Sequence, residues 1–81
     1  VGNKLPVGCL AGAKQTRKAI LNGTAETVLL ATDADPALTE PLERLCLEHQ
    51  VRCTWISSMR ELGELCHLKV GAAAAVCPHT T

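Results

Sequence analysis

Three cations and an amide crowd the segment after a glycine, Gly12-Ala13-Lys14-Gln15-Thr16-Arg17-Lys18. Such a set is suited to holding an anion rather than to making or breaking bonds. At about 100° per residue, Lys14, Lys18 and Asn22 share one side of a helix and Gln15 and Arg17 flank them. Thr16, Ala19 and Ile20 fall on the opposite, apolar side. A helix N-terminus presents free backbone N–H groups and partial positive charge, which favours an anion. Cations placed there cost a little helix stability, so a nearby anion would account for them. The plainer reading, a solvated helix face with ordinary surface lysines, leads on the local pattern alone.

A second candidate is His67-Leu68-Lys69-Val70-Gly71. Leu68 and Val70 either anchor a core around a solvated Lys69, or offer an apolar surface to an extruded base with a cation for its phosphate. Other chemistries find less support. Asp33 and Asp35 are too few for a cation cage, and a capping turn explains them. Cys46-x-x-His49 and Cys66-His67 lack a CxxC partner, whereas structural zinc needs four converging ligands. Cys66 is the only thiol near a loop, and nothing in sequence stabilises its thiolate. GxGxxG, GxxxxGK[ST] and GxSxG are all absent, as is a nucleophile–base–orienter set. The expectation is no catalytic residue, no metal and no cofactor.

The elements that must position these residues are readable from apolar periodicity. Val7 to Leu10 reads as a short buried strand and Ala13 to Asn22 as a helix that Gly23 stops. Thr27 to Ala31 is a continuous apolar strand, as expected when both faces are covered. Asp35 caps a turn that Pro36 begins. Pro41 places the start of the next regular helix near Thr39 or Glu40, with a stripe of Leu38, Leu42, Leu45, Cys46 and His49. Val51 to Ile56 is a third strand. Ser58-Met59-Arg60-Glu61 matches a capping box, with Glu61 reaching back to Ser58. Its helix holds Met59, Leu62, Leu65 and Cys66. His67 to Gly71 is a loop, and Ala72 to Cys77 a final small-residue strand that Pro78 closes. Alternation of this kind implies an α/β fold with a largely parallel sheet and helices on both faces.

The chain has 81 residues, room for one domain. It has no Phe or Tyr and only Trp55, which argues against aromatic-platform readers of single strands. Eight basic residues balance eight acidic ones, so any nucleic-acid signal lies in distribution, with Lys14, Arg17 and Lys18 on one helix and Glu40, Glu43 and Glu48 on another. The five cysteines are odd in number and widely spaced, unlike a secreted disulfide framework, and read as free thiols in a reducing compartment. No apolar run reaches membrane-spanning length and no signal-peptide pattern is visible, so the expected setting is the cytoplasm, away from membranes. The chain begins at Val1 without Met, as a trimmed product would.

Four segments in register resemble the L-seven-Ae / L-thirty-e ribosomal-protein family, and most closely its small bacterial kink-turn RNA binders. They are Gly12 to Lys18, Leu30-Ala31-Thr32-Asp33-Ala34-Asp35-Pro36, Ser58-Met59-Arg60-Glu61-Leu62-Gly63, and Leu68-Lys69-Val70-Gly71-Ala72-Ala73-Ala74. The resemblance spans about Val7 to Val76. It implies a three-layer α/β/α sandwich with a four-stranded, mostly parallel (mixed) sheet, a single domain over residues 1–81, and an N-terminal helix cut short around Pro6. It also implies binding to kink-turn RNA, a bent duplex with tandem sheared G·A pairs and a bulge, whose bend opens the major groove. By position, Gly12 would let the backbone approach phosphate, Lys14 and Gln15 would face guanine edges, and Lys18 would pair with a guanine or a phosphate. Leu68, Lys69 and Val70 would pack on the bulged nucleotide.

The chain departs from the pattern at several places. Lys14-Gln15 stands where archaeal and eukaryotic members carry Asn-Glu, a change the bacterial branch shares. Arg17 occupies an often apolar position and would add a phosphate contact. Lys69 replaces a common acid, and His67 a usual glycine. The reading is a monomeric, non-catalytic binder of structured RNA, ribosomal or regulatory, and not of DNA. An alternative is a protein-interaction module on the same fold, using the Glu40/Glu43/Glu48 helix; a small thiol or zinc protein is a third.

Overall fold

Continuous apolar strands need cover on both faces, and the structure supplies it with helices above and below one sheet. The structure, a computed structural model, describes residues 9–78. Along the chain run β1 (Leu10–Ala11), α1 (Ala13–Asn22), β2 (Ala25–Ala31), α2 (Pro36–His49), β3 (Arg52–Ile56), α3 (Met59–Leu65) and β4 (Ala74–Pro78). The sheet order is β1-β4-β2-β3.

Strand alternation sorts the core into two layers. Val28 and Leu30 of β2 and Ala74 and Val76 of β4 face α1 and α2, where they meet Ile20, Leu42 and Cys46. Leu29, Ala31 and Ala75 face the other way, onto α3 through Leu62. Ile20, Val28, Leu30, Leu62 and Val76 are fully enclosed, each burial stabilising the fold by about 1.5–3 kcal/mol. With no Phe or Tyr, small alanines on β4 let helices sit close to both faces of the sheet, and Ala74 on the α1 side and Ala75 on the α3 side are both completely buried.

The three-layer α/β architecture and the mixed sheet match expectation, but the parallel share is smaller than simple alternation implies. Among the described residues only β2 and β3 pair in parallel; β4 runs antiparallel to both β2 and β1. β4 starts at the end of the sheet where β3 finished, so it runs back against β2.

Several expected boundaries move. β1 is two residues long and Leu10 is exposed at the sheet edge rather than buried. Val7, Gly8 and the shortened N-terminal helix lie outside the described residues. α2 begins at Pro36, with Asp35 Oδ1 accepting the Ala37 N–H at 2.9 Å, and it carries Pro41 inside it. Pro41 forfeits the bond to the Ala37 carbonyl. Both residues lie on the exposed side of the helix, where water reaches that carbonyl. The buried stripe of α2 is Thr39, Leu42 and Cys46, while Leu38 and His49 turn outward.

α3 is capped twice. Ser58 Oγ accepts from the Glu61 N–H at 3.0 Å, as expected, and Asp33 Oδ1 accepts from the Met59 N–H at 2.7 Å. Glu61 does not reach back to Ser58; its carboxylate takes the Ser57 hydroxyl, one residue earlier.

The reading of five free thiols is corrected. Cys9 and Cys77 form a disulfide across 68 positions of sequence, with Cα atoms 4.2 Å apart. The register makes it possible: Leu10 faces Val76 and Ala11 faces Ala75, so the residue before β1 stands opposite Cys77. Cys46, Cys53 and Cys66 are free.

Candidate nucleic-acid interface

Helix α1 starts at a residue only glycine tolerates. Gly12 has φ 122° and ψ 139°, outside the regions open to L residues. A Cβ there would meet nothing nearer than Gln15 Cγ at 4.0 Å, so the constraint is the backbone and not space. The Gly12 carbonyl accepts both the N–H and the hydroxyl of Thr16, at 3.0 and 2.8 Å, which turns the buried Thr16 inward. No side chain among the described residues caps this helix. The N–H groups of Ala13, Lys14 and Gln15 precede the first intrahelical bond and point outward from the turn.

Lys14, Gln15, Arg17 and Lys18 are all exposed. Lys14, Arg17 and Lys18, with Leu21 and Asn22, line a shallow concavity of about 290 Å³ along α1. No acidic residue lies on this helix itself. Arg17 stands on the ridge of that concavity. It also lines a groove of about 350 Å³ between α1 and α2, where Arg44, Glu40 and Glu48 face it. The acids of α2 are thereby divided. Glu40 and Glu48 flank the groove, and Glu43 is half-buried, its charge acting on the thiols of Cys46 and Cys53.

The 67–71 loop is exposed at its tip. Leu68 is 39% and Val70 70% exposed, so neither serves as a core anchor. Lys69 between them is exposed as well. The loop is tied to α3 through main-chain bonds: Leu68 N–H to Gly63 O at 2.8 Å, His67 N–H to Glu64 O at 3.0 Å and Ala72 N–H to Met59 O at 3.0 Å. Four residues past Val70, the Ala74 carbonyl accepts the Gly12 N–H at 2.8 Å. The helix start is thereby bonded to the first residue of β4, the strand into which the loop leads.

His67 adopts φ 65°, the left-handed region. A β-carbon there costs about 1–2 kcal/mol, while glycine gives up about 0.5–1 kcal/mol through its freer unfolded chain. His67→Gly relieves that backbone cost and removes the imidazole's own interactions, and a higher melting temperature would show that the backbone cost is the larger. A lower melting temperature would show that the imidazole contributes more than its backbone costs.

The alternative chemistries do not assemble. Asp33 and Asp35 are both spent on helix N–H groups. Cys46 is buried and His49 is exposed, so the two do not share a face. No group of three or more His, Cys, Asp or Glu converges as metal ligands would among the described residues. Burial, reinforced by the neighbouring Cys53 thiol and Glu43, pushes the Cys46 thiol up to about 12. Burial also raises Cys53 and Cys66, so all three stay protonated and unreactive near neutral pH. No described helix is long and apolar enough to cross a membrane.

Sequence reasoning missed three parts of this surface. Leu21 joins the concavity by its i+3 and i+7 spacing from Lys18 and Lys14, a signal present in the sequence. Asp33 was assigned to its own turn rather than to α3. Gly63, inside a helix pattern, is the kind of residue that marks a close approach of another segment.

Comparison with known proteins follows this geometry. Residues 6–79 match the ribosomal protein L7Ae/L30e/S12e/Gadd45 family. An RNA-binding protein of Caldanaerobacter subterraneus subsp. tengcongensis is 36% identical over 75 residues, covering 93% of this chain and 92% of that protein. An RNA-binding protein of Bacillus pumilus is 42% identical over 65 residues, covering 80% and 79%. Among solved structures, the Giardia lamblia 15.5kD RNA binding protein superposes with a TM-score of 0.84 at 30% identity, over 90% of this chain and 62% of that one. With nearly its whole described length matched, the chain belongs to the ribosomal protein L7Ae/L30e/S12e/Gadd45 family.

Proposed function

We propose that this chain is a non-catalytic RNA-binding protein that recognises kink-turns in ribosomal or regulatory RNA and stabilises their bent form by population shift. The observation that carries the proposal is a pair of unlike surfaces: a basic helix start without a side-chain cap, bonded to Ala74, and a loop with two exposed apolar side chains that leads into the same strand. The first suits phosphates and guanine edges, the second an unstacked base. The RNA-binding names of the relatives support the same class of ligand.

In this reading the backbone at Gly12 approaches a phosphate, Lys14 and Gln15 face guanine edges at the sheared G·A pairs, and Lys18 takes a guanine or an adjoining phosphate. Arg17, on the ridge toward Glu40 and Glu48, adds a phosphate contact at the margin. Leu68, Lys69 and Val70 receive the bulged nucleotide. One copy of the chain supplies every group named, so it acts as a monomer, and in the cytoplasm, where such RNA resides, its Cys9–Cys77 bond is exposed to reduction.

A gel-shift titration tests this. A kink-turn should bind more tightly than the same RNA with its G·A pairs replaced, and Lys18→Ala should cost about 1–3 kcal/mol if it reads a base. If Lys18 instead meets a phosphate, the salt slope should fall by about one. Equal affinity for both RNAs refutes kink-turn recognition. No salt-dependent RNA affinity, with an RNase-insensitive protein partner, would place the chain among protein-interaction modules.

A further inference from the structure

We infer that Gly63, which touches no ligand in the reading above, is the positioning residue for the 67–71 loop and sets whether the protein reads the bulged nucleotide. The inference rests on the assignment of Leu68 and Val70 to that nucleotide. Gly63 is buried in the middle of α3. Glycine is a poor helix former, so its presence there answers to something outside the helix. A Cβ on Gly63 would lie 2.0 Å from the Val70 carbonyl oxygen and 3.0 Å from Gly71 Cα. Both of those atoms are backbone, which cannot swing aside as a long side chain would. The loop thus lies directly on the helix main chain, and the Gly63 carbonyl accepts the Leu68 N–H at 2.8 Å.

The far end of the loop is held in the same manner. A Cβ on Gly71 would meet Met59 backbone and side-chain atoms at 3.3 Å, and Ala72 N–H bonds to Met59 O. With its backbone set against α3, the loop has only its side chains to turn toward solvent. Leu68 and Val70 accordingly stand exposed on either side of Lys69. A methyl group at position 63 lifts Val70 off the helix. It moves the apolar pair away from the place where the α1 face would hold the RNA.

The experiment uses a kink-turn RNA and its counterpart with an abasic bulge, each titrated with the wild-type chain and with Gly63→Ala. Wild type should prefer the RNA carrying the base by about tenfold, the value of one apolar side chain's burial. Gly63→Ala should bind the base-carrying RNA about tenfold more weakly than wild type does, and bind both RNAs alike. A general loss of fold would instead lower both affinities together. Wild type that binds both RNAs equally overturns the assignment of the loop itself. Wild type that discriminates, beside a Gly63→Ala that discriminates equally, overturns the role of Gly63 alone. Should Gly63→Ala not fold, amide exchange in free wild type decides. Leu68 and Ala72 N–H groups protected like those of α3 support a loop preset by the helix, and exchange at the rate of open chain overturns it.

Discussion

Reducing the Cys9–Cys77 disulfide should lower the stability of this chain by about 2–4 kcal/mol. The bond closes a segment of 68 positions, nearly the whole described chain. Long closed segments remove the most entropy from the unfolded ensemble, and the chain-entropy relation puts the upper figure at about 4 kcal/mol for this length. The folded side of the balance points the same way. β1 contributes two residues at the sheet edge, and two-residue pairings contribute little by themselves. Urea denaturation with and without a dithiol reductant measures the effect, and for a domain of this size it corresponds to roughly 8–30 °C in melting temperature. The Cys9→Ser/Cys77→Ser double variant should melt at the reduced position under both conditions. An unchanged midpoint on reduction would show that β1 holds without the bond.

Gly12→Ala should weaken both the fold and its RNA binding, for two separable reasons. The conformation at φ 122° costs a β-carbon-bearing residue about 1–3 kcal/mol. There is space for the methyl group in the free protein, so this cost is purely a backbone one. To avoid it, the chain must rotate at the junction where the Gly12 N–H meets Ala74 O. That displaces the first turn of α1 and, with it, Lys14 and Gln15. Affinity for a kink-turn should fall by at least about tenfold, measured under conditions where circular dichroism shows the variant still folded. A variant with reduced stability but unaltered affinity would remove the helix start from the RNA surface.

The local elements were legible because their causes are local. α1 was readable from its apolar side at Thr16, Ala19 and Ile20 and from Gly23, which adopts the left-handed conformation that ends helices. β2 was readable because both of its faces are buried, which forces an unbroken apolar run. The caps at Asp35 and Ser58 involve residues two or three positions apart. Even so, Pro41 misled the start of α2, because a proline is tolerated wherever the carbonyl it abandons reaches water. That condition belongs to the surface of the folded protein and has no signature in the residues nearby.

What could not be read depends on distance along the chain. Cys9 and Cys77 meet because β4 pairs beside β1 in the sheet, a pairing between segments more than sixty positions apart. Leu68 and Val70 were equally plausible as core or as surface until the backbone beneath them was set against Gly63. Residue order alone therefore determined the alternation of strands and helices, the basic side of α1 and the family, each carried by contacts a few residues apart or by motifs in register. The tertiary structure alone decided that the glycine-led helix is bonded to Ala74, at the start of the strand into which the apolar loop leads. Strand pairing brings together residues separated by some sixty positions, and no local pattern encodes that pairing.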